Sequence, residues 1–288
     1  MTSISISGRT IGPNSPTLVI AEIGINHNGD VELAKRMMKA AREAGCDAVK
    51  FQKRSPRHCV PQDQWEVIRE TPWGRMSYID YKERIEFNED QFQDLADLAA
   101  ELGILWFASP WDEPSVTILN NLDVCCHKVA SASVTDYHLL DAINKSGRPV
   151  IMSTGMSTIE QVRNAVERLK DVPLALLHSV SIYPTRSEDL NLRMINTLRE
   201  EFNCVVGYSG HETGLPATLA SVALGASIVE RHFTLDRSMW GTDQAASVEP
   251  EGMRRLVRGI RTVEKALGDG VKRVLPEEAN NARKLRRA

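Results

Sequence analysis

The feature that constrains this chain most is a regular alternation of short apolar runs with amphipathic segments, carried almost from one end to the other. The runs are 17–24 (TLVIAEIG), 48–54 (AVKFQKR), 104–110 (ILWFASP), 126–131 (CHKVAS), 150–155 (VIMSTG), 174–180 (LALLHSV), 205–210 (VVGYSG) and 227–234 (SIVERHFT). Such near-continuous apolar runs suit strands buried on both faces, as in a parallel sheet covered by helices. Helical spacing fills the intervals near 31–44, 89–102, 113–121, 137–145, 158–169, 191–201, 215–224 and 250–267. In the first of these, Leu33, Met37, Ala40, Ala41 and Ala44 share one face; Asp30 is placed to cap its start and Gly45 to close it. In the last, Pro250 opens the helix, Gly268 ends it, and Met253, Leu256, Val257, Ile260, Val263 and Leu267 form the inner face. Strand–helix units repeated in this way over roughly 250 residues favour a closed barrel over an open doubly wound sheet. The expected fold is therefore α/β, a (β/α)8 TIM barrel, with a short N-terminal hairpin across its bottom. Residues 1–270 read as the barrel and 271–288 as a C-terminal tail.

Charge and cysteine usage narrow the function classes. The net charge of −3 gives no global basic field for nucleic acid or an anionic membrane. The basic residues at the C-terminus (Arg283, Lys284, Arg286, Arg287) read as a solvated helix end. Five scattered cysteines show neither zinc-site spacing nor a closed disulfide framework, which places the chain in a reducing cytoplasm. No signal layout opens the sequence, and no apolar run has the length of a membrane span. The one long connection, 55–88, carries Trp65, Trp73, Tyr78 and Tyr81. It reads as a lid or a dimer contact, or as a mobile loop packed on its own barrel.

The polar residues fall where a barrel of this kind keeps its active site, at the C-terminal ends of the strands. Strand by strand those ends carry Glu22, Lys50 with Gln52, Ser109, Lys128 with Ser131, Ser153, His178, Ser209 with His211, and Glu230 with His232. Any one of them has a bland explanation, since serines cap helices and lone histidines are commonly satisfied inside cores. Together they are harder to dismiss. Two inward lysines need an anionic partner, and lysines converging with several serines describe a phosphate or carboxylate pocket. His211 and His232, at the ends of adjacent strands, could meet at one point and bind manganese or a similar divalent ion.

Taken together, AEIGINHNGD, AVKFQ, KVAS, STGMS, LLHSVSIYPT, GYSGHE and ERHFTLD resemble the sialic acid (N-acetylneuraminate) synthase family, in the right order from about residue 17 to 270. The resemblance implies a transferase of carbohydrate biosynthesis that condenses phosphoenolpyruvate with N-acetylmannosamine or a related aldose, giving a nonulosonic acid and phosphate. It implies a divalent metal on His211 and His232, manganese foremost with magnesium or cobalt as alternatives, acting as a Lewis acid on the aldehyde. Lys50, Lys128, Ser131, Ser153 and Ser209 match the family's phosphoenolpyruvate contacts, with Ser109 where a threonine is common. Glu22, Gln52, Tyr183, Glu230 and Asp243 match its sugar contacts, and Asn26 and His27 lie in its signature loop as site-lining residues. Glu22 and Glu230 are the candidates for orienting sugar hydroxyls and moving protons, and with Lys50 and Lys128 they form the expected catalytic set. Partners are the two substrates and, as in the family, a second copy of the chain in a homo-oligomer, with a dimer expected.

The sequence also departs from the family. Relatives carry a C-terminal antifreeze-like domain that supplies an arginine to the sugar's acyl group; here the chain reaches the segment leading to it (ANNARKLRR) and stops, so that domain is expected to be absent. Gln244 follows Asp243 where a histidine is common, Gly210 stands where many relatives have aspartate, and His178-Ser179 occupies a position often held by cysteine. These changes suit a different acceptor. The alternatives are a condensation yielding another ulosonic acid, including one from a phosphorylated sugar that Arg54 or Arg186 would favour, and a non-catalytic binding or regulatory barrel.

Overall fold

The computed structural model describes residues 2–287. Its strands in chain order are β1 (Ile4–Ile6), β2 (Arg9–Ile11), β3 (Leu18–Gly24), β4 (Ala48–Lys53), β5 (Ile68–Thr71), β6 (Gly74–Ser77), β7 (Leu105–Pro110), β8 (His127–Val129), β9 (Val150–Ser153), β10 (Leu174–Ser179), β11 (Val205–Gly210) and β12 (Ile228–His232). Its helices are α1 (Val31–Glu43), α2 (Pro56–Cys59), α3 (Tyr78–Ile85), α4 (Glu89–Leu102), α5 (Glu113–Asn121), α6 (Tyr137–Lys145), α7 (Ile159–Arg168), α8 (Met194–Phe202), α9 (Pro216–Ala223), α10 (Pro250–Leu267) and α11 (Pro276–Leu285). Eight strands, β3, β4 and β7 to β12, close into a parallel barrel, β12 pairing back onto β3. All seven residues of β3 and all six of β11 are buried, as two-sided coverage requires.

Local chemistry sets the helix starts. Asp30 accepts a hydrogen bond from Leu33 N at 3.1 Å, Asp112 from Ser115 N at 2.8 Å and Asp136 from Leu139 N at 3.1 Å. Asn88 with Gln91 and Thr158 with Gln161 form reciprocal capping boxes. The antiparallel pair β1–β2 lies across the bottom of the barrel, where Arg9 binds Asp47 at 2.6 Å just before β4. No helix among the described residues is long and apolar enough to cross a membrane.

Two readings of the sequence need correction. Leu267 is 52% exposed, because the last turn of α10 runs past the barrel wall while Met253, Leu256, Val257 and Ile260 stay buried. The 55–88 connection is an ordered insert, holding α2, the β5–β6 hairpin and α3. Its two ends are fastened to the barrel. Buried Lys53 donates to Glu86 Oε1 at 3.0 Å and to the Phe87 carbonyl at 3.1 Å, the Arg54 N–H donates to Glu86 at 2.9 Å, and the Ser55 hydroxyl donates to Asp112 at 3.0 Å. The polar residues that do this look, in sequence, like any other charged loop. At the C-terminus, Arg283, Lys284, Arg286 and Arg287 are all exposed and none of α11 is buried.

Candidate active site

Barrel strands point alternate side chains inward and outward, and parity decides what reaches the mouth. Glu22, Lys50, Lys128, Ser153, Ser209 and Glu230 all point inward and line one cavity of about 330 Å3 at the C-terminal ends of the strands. Gln52, Ser109, Ser131, Tyr183, His211, His232 and Asp243 line it too. A larger hollow of about 680 Å3 sits at the opposite end, beside the 12–17 segment and the end of α10. It has little chemistry to offer. Its Arg199 is engaged by the Leu224 and Gly225 carbonyls at 2.9 and 3.1 Å, and its Glu264 by Arg261 at 2.9 Å.

The floor of the upper cavity is a buried tetrad of two cations and two carboxylates. Lys50 Nζ lies 3.1 Å from Glu22 Oε2 and 3.5 Å from Glu230 Oε1, and Lys128 Nζ lies 3.9 Å from Glu230 Oε1. Lys50 also donates to Ser109 at 3.3 Å, Lys128 to Ser153 at 2.7 Å, and Ser209 to Glu230 at 3.1 Å. The environment drives the two carboxyls apart. Burial raises Glu22 above the usual carboxylate range, with Lys50 only partly offsetting it. Burial would raise Glu230 as well, but Lys128 and Lys50 together override it and hold the group down at about 2. Among the lysines, burial lowers Lys128 to about 8, whereas the two carboxylates outweigh burial at Lys50 and raise it. Glu230 Oε2 and Ser179 Oγ are buried without any hydrogen-bond partner, so each leaves an unused valence at the site.

A serine-lined turn forms part of the same cavity wall. The Gly155 N–H donates to Ser131 Oγ at 3.0 Å, and a Cβ at 155 would collide with Ser181 Oγ and stand only 2.8 Å from Ser131 Oγ. Only glycine lets those two hydroxyls approach the turn so closely.

His211 and His232 converge as expected, ring centroids 5.5 Å apart, with Tyr183 packed 4.0 Å from His211. Nδ1 of His211 is 2.8 Å from the Val180 carbonyl, which makes it the N–H donor and leaves Nε2 as a lone pair. Burial lowers His211 to about 3, so its imidazole is neutral over the ordinary pH range. Among the described residues no three His, Cys, Asp or Glu side chains converge as a metal cage. The donor set still fits an open site of two imidazoles, completed by water and substrate oxygens.

Three residues that the sequence assigns to the site lie outside it. Asn26 is buried behind the cavity wall, donating to the Phe233 carbonyl and Ser247 Oγ, both at 2.9 Å. It ties the loop after β3 to the loop after β12 and touches no substrate space. His27 stacks on Phe87 at 4.0 Å and is lowered to about 3 by burial, a core ring and no wall residue. His178 faces the helix layer, bonded to the Leu190 carbonyl at 2.7 Å; its neighbour Ser179 faces the cavity. Two further expectations resolve in the same way. Arg186 is 70% exposed and pairs with Asp189, away from the cavity. Gln244 is a structural link, donating to the Asn26 carbonyl at 3.0 Å.

Further residues line the cavity as well. Arg54, Lys82 and Trp111 stand at the mouth, with Ser179 and Ser181 deeper. Arg54 donates to Gln52 Oε1 at 2.6 Å and lies 4.1 Å from the Trp111 ring. Burial and the neighbouring Arg54 lower Lys82 to about 8.

A family model described as the NeuB family matches residues 37–272. The chain belongs to the NeuB family. It is 40% identical over 276 residues to the N-acetylneuraminate-9-phosphate synthase of Mus musculus, a match that covers 94% of this chain and 77% of the relative. It is 34% identical over 279 residues to the N,N'-diacetyllegionaminic acid synthase of Campylobacter jejuni, covering 94% of this chain and 84% of that one. The N-acetylneuraminic acid synthetase structure from Leptospira borgpetersenii, in complex with citrate, superposes with a TM-score of 0.88 at 33% identity, over 100% of this chain and 98% of that chain. The barrel is thus that of a NeuB-type enzyme of ulosonic acid synthesis, and the converged lysines, glutamates and histidines are its candidate machinery.

Proposed function

We propose that this NeuB-family barrel condenses phosphoenolpyruvate with an open-chain aldose on a divalent metal held by His211 and His232. The observation that carries the reading is the buried tetrad Glu22–Lys50–Glu230–Lys128 with the serine-lined turn in the same cavity wall. With Glu22 held toward its neutral form the tetrad is net positive, which suits a trianionic donor that would otherwise have to enter a neutral pocket. Lys50 and Ser109 take one anionic end of the donor; Lys128, Ser131 and Ser153 take the other.

A bound metal supplies Lewis-acid polarisation of the aldehyde. The chain's own groups do the rest. The methylene carbon of phosphoenolpyruvate forms a bond to the aldehyde carbon, whose oxygen takes a proton from Glu22, the carboxyl that burial raises toward its neutral form. Water adds to the enol carbon and gives its proton to Glu230, the carboxylate kept ionised by two lysines. The carbon–oxygen bond to phosphate then breaks as the new C2 hydroxyl passes its proton to the departing phosphate, releasing phosphate and leaving the 2-keto acid. Tyr183, Gln52 and Asp243 flank the space where the sugar's hydroxyls lie.

The test is phosphate release from phosphoenolpyruvate with Mn2+, screening N-acetylmannosamine, mannose and their 6-phosphates, with His211→Ala as the control. Release that requires one aldose and vanishes in the control supports the reading. Release unaffected by His211→Ala overturns the metal's part in it, and donor binding without release under any aldose overturns the acceptor class.

A second reading is favoured by one specific feature, the two cations Arg54 and Lys82 at the mouth, opposite the donor end. They suit an acceptor phosphorylated at its far terminus. On this reading Arg54→Met and Lys82→Met each raise the KM for the phosphorylated aldose by about tenfold to a hundredfold, and leave the KM for the unphosphorylated one within about twofold. Equal effects on both aldoses would remove the phosphate from the proposal.

A further inference from the structure

Gly210 borders a buried network on the outside of the barrel that no step of the proposed reaction uses. Arg231 alternates with the inward pair Glu230 and His232, so it points out of β12, and it is 2% exposed. Its guanidinium donates to Glu212 Oε1 at 3.0 Å, to the Glu212 carbonyl at 2.6 Å, to the Gly214 carbonyl at 2.9 Å and to Thr218 Oγ1 at 2.7 Å. Glu212 also accepts from Thr218 at 2.6 Å and from the Tyr208 hydroxyl at 2.8 Å. The space is full: a Cβ at 210 would lie 2.5 Å from Glu212 Oε2 and 2.6 Å from the Tyr208 ring. An aspartate at that position has no room while the network stands.

The network's two charged members are the chain neighbours of the two imidazoles. Glu212 follows His211, and Arg231 precedes His232. The Glu212–Arg231 pair therefore bolts the end of β11 to the end of β12 from behind, at the one place where the two strands present their histidines. We infer that Glu212 and Arg231 are positioning residues that set the spacing of His211 and His232 for the divalent metal. This inference rests on the proposed metal role of the two histidines and extends it to residues that never touch metal or substrate. Their effect should fall first on the metal, because most of the donor-holding lysines and serines sit on β4, β7, β8 and β9, whereas the network joins the ends of β11 and β12.

The test is Mn2+ binding by electron paramagnetic resonance, alongside phosphoenolpyruvate affinity at saturating Mn2+, for wild type, Glu212→Gln and Arg231→Lys. Glutamine keeps the shape and loses the charge; lysine keeps the charge and loses the planar fork. The expected result is a Kd for Mn2+ raised about tenfold or more in each variant, with altered hyperfine coupling of the bound ion and donor affinity within about twofold. If Glu212→Gln does not fold, Arg231→Lys, which buries no unpaired charge, carries the test. Unchanged Mn2+ affinity in a folded variant overturns the inference, as does an equal loss of metal and donor binding. A wild-type protein that binds no Mn2+ overturns the metal reading itself, so the two failures are told apart.

Discussion

Lys128→Met is expected to raise the KM for phosphoenolpyruvate by roughly a hundredfold to a thousandfold, the scale for removing one partner of a desolvated charge pair. Lys128 is the deeper of the two donor cations, 1% exposed, and its ammonium already faces Ser153 and the Val129 carbonyl. The cost to the fold should be smaller than that of Glu230→Gln, because Lys50 remains beside Glu230 at 3.5 Å. Burial holds this lysine at about 8, below its ordinary 10.5, so the native state binds the proton more weakly than the unfolded chain. Native stability therefore rises with pH between about 8 and 10.5, and below 8 the buried ammonium is a burden that methionine removes. In the wild type, kcat/KM for phosphoenolpyruvate should fall above pH 8 as the ammonium is lost, and that limb should disappear in the variant. A limb that persists in Lys128→Met would belong to Lys82, also held at about 8, and would then follow the aldose rather than the donor.

Glu230→Gln carries the largest expected effect on stability. It leaves two buried lysines facing one carboxyl that burial already drives toward neutrality, an imbalance of the kind that costs about 3–5 kcal/mol. The loss should appear as a lowered midpoint in urea at pH 7, with phosphate release reduced to background. The linkage has a definite sign. Glu230 is held down at about 2, below its ordinary 4.5, so its stabilisation is complete above 4.5 and is lost as pH falls toward 2. Wild type should lose stability across that window more steeply than Glu230→Gln, by roughly 3 kcal/mol over the whole span. A variant as stable as wild type would mean that the lysines have found another counter-ion and that the four side chains do not act as one unit.

The barrel was legible because its strands are buried on both faces and stay apolar from end to end. The helices between them show end signals that can be read directly, as at Asp30. The inward strand residues Lys50, Lys128, Ser153, Ser209 and Glu230 followed from position alone. His178 did not, because one residue of parity separates the helix layer from the cavity, and Ser179, paired in register with Ser209, is the residue on the inner side. Asn26 and His27 lie just past a strand end, where the chain turns and alternation no longer says which way a side chain points. Arg54, offered by the sequence for a phosphorylated acceptor, does line the cavity, whereas Lys82 and Trp111 were invisible for a related reason: they reach the mouth from connections whose path depends on buried anchors such as Glu86 and Asp112. The Glu212–Arg231 pair, with one member just past β11 and the other within β12, reads as two ordinary charges until the fold closes them on each other.

The walls of the cavity have separate origins. The donor end is made from strand termini, locked in register around the barrel. On the proposed reading the acceptor end draws on Gln52, Arg54 and Tyr183 together with Lys82 of the 55–88 insert and Asp243 of the segment after β12; the last two segments meet through Trp73 and Trp240 at 6.5 Å and through Tyr81 and Trp240 at 5.5 Å. Such a division makes the molecule modular in the way a tool with an exchangeable head is modular. If the proposed roles hold, a library confined to the two inserts should alter the choice of sugar more than the handling of phosphoenolpyruvate, whereas variation on the strands should reach both. Recombining inserts between relatives, with Lys53, Glu86 and Asp112 kept as the fixed couplings, is the corresponding route to new ulosonic acids.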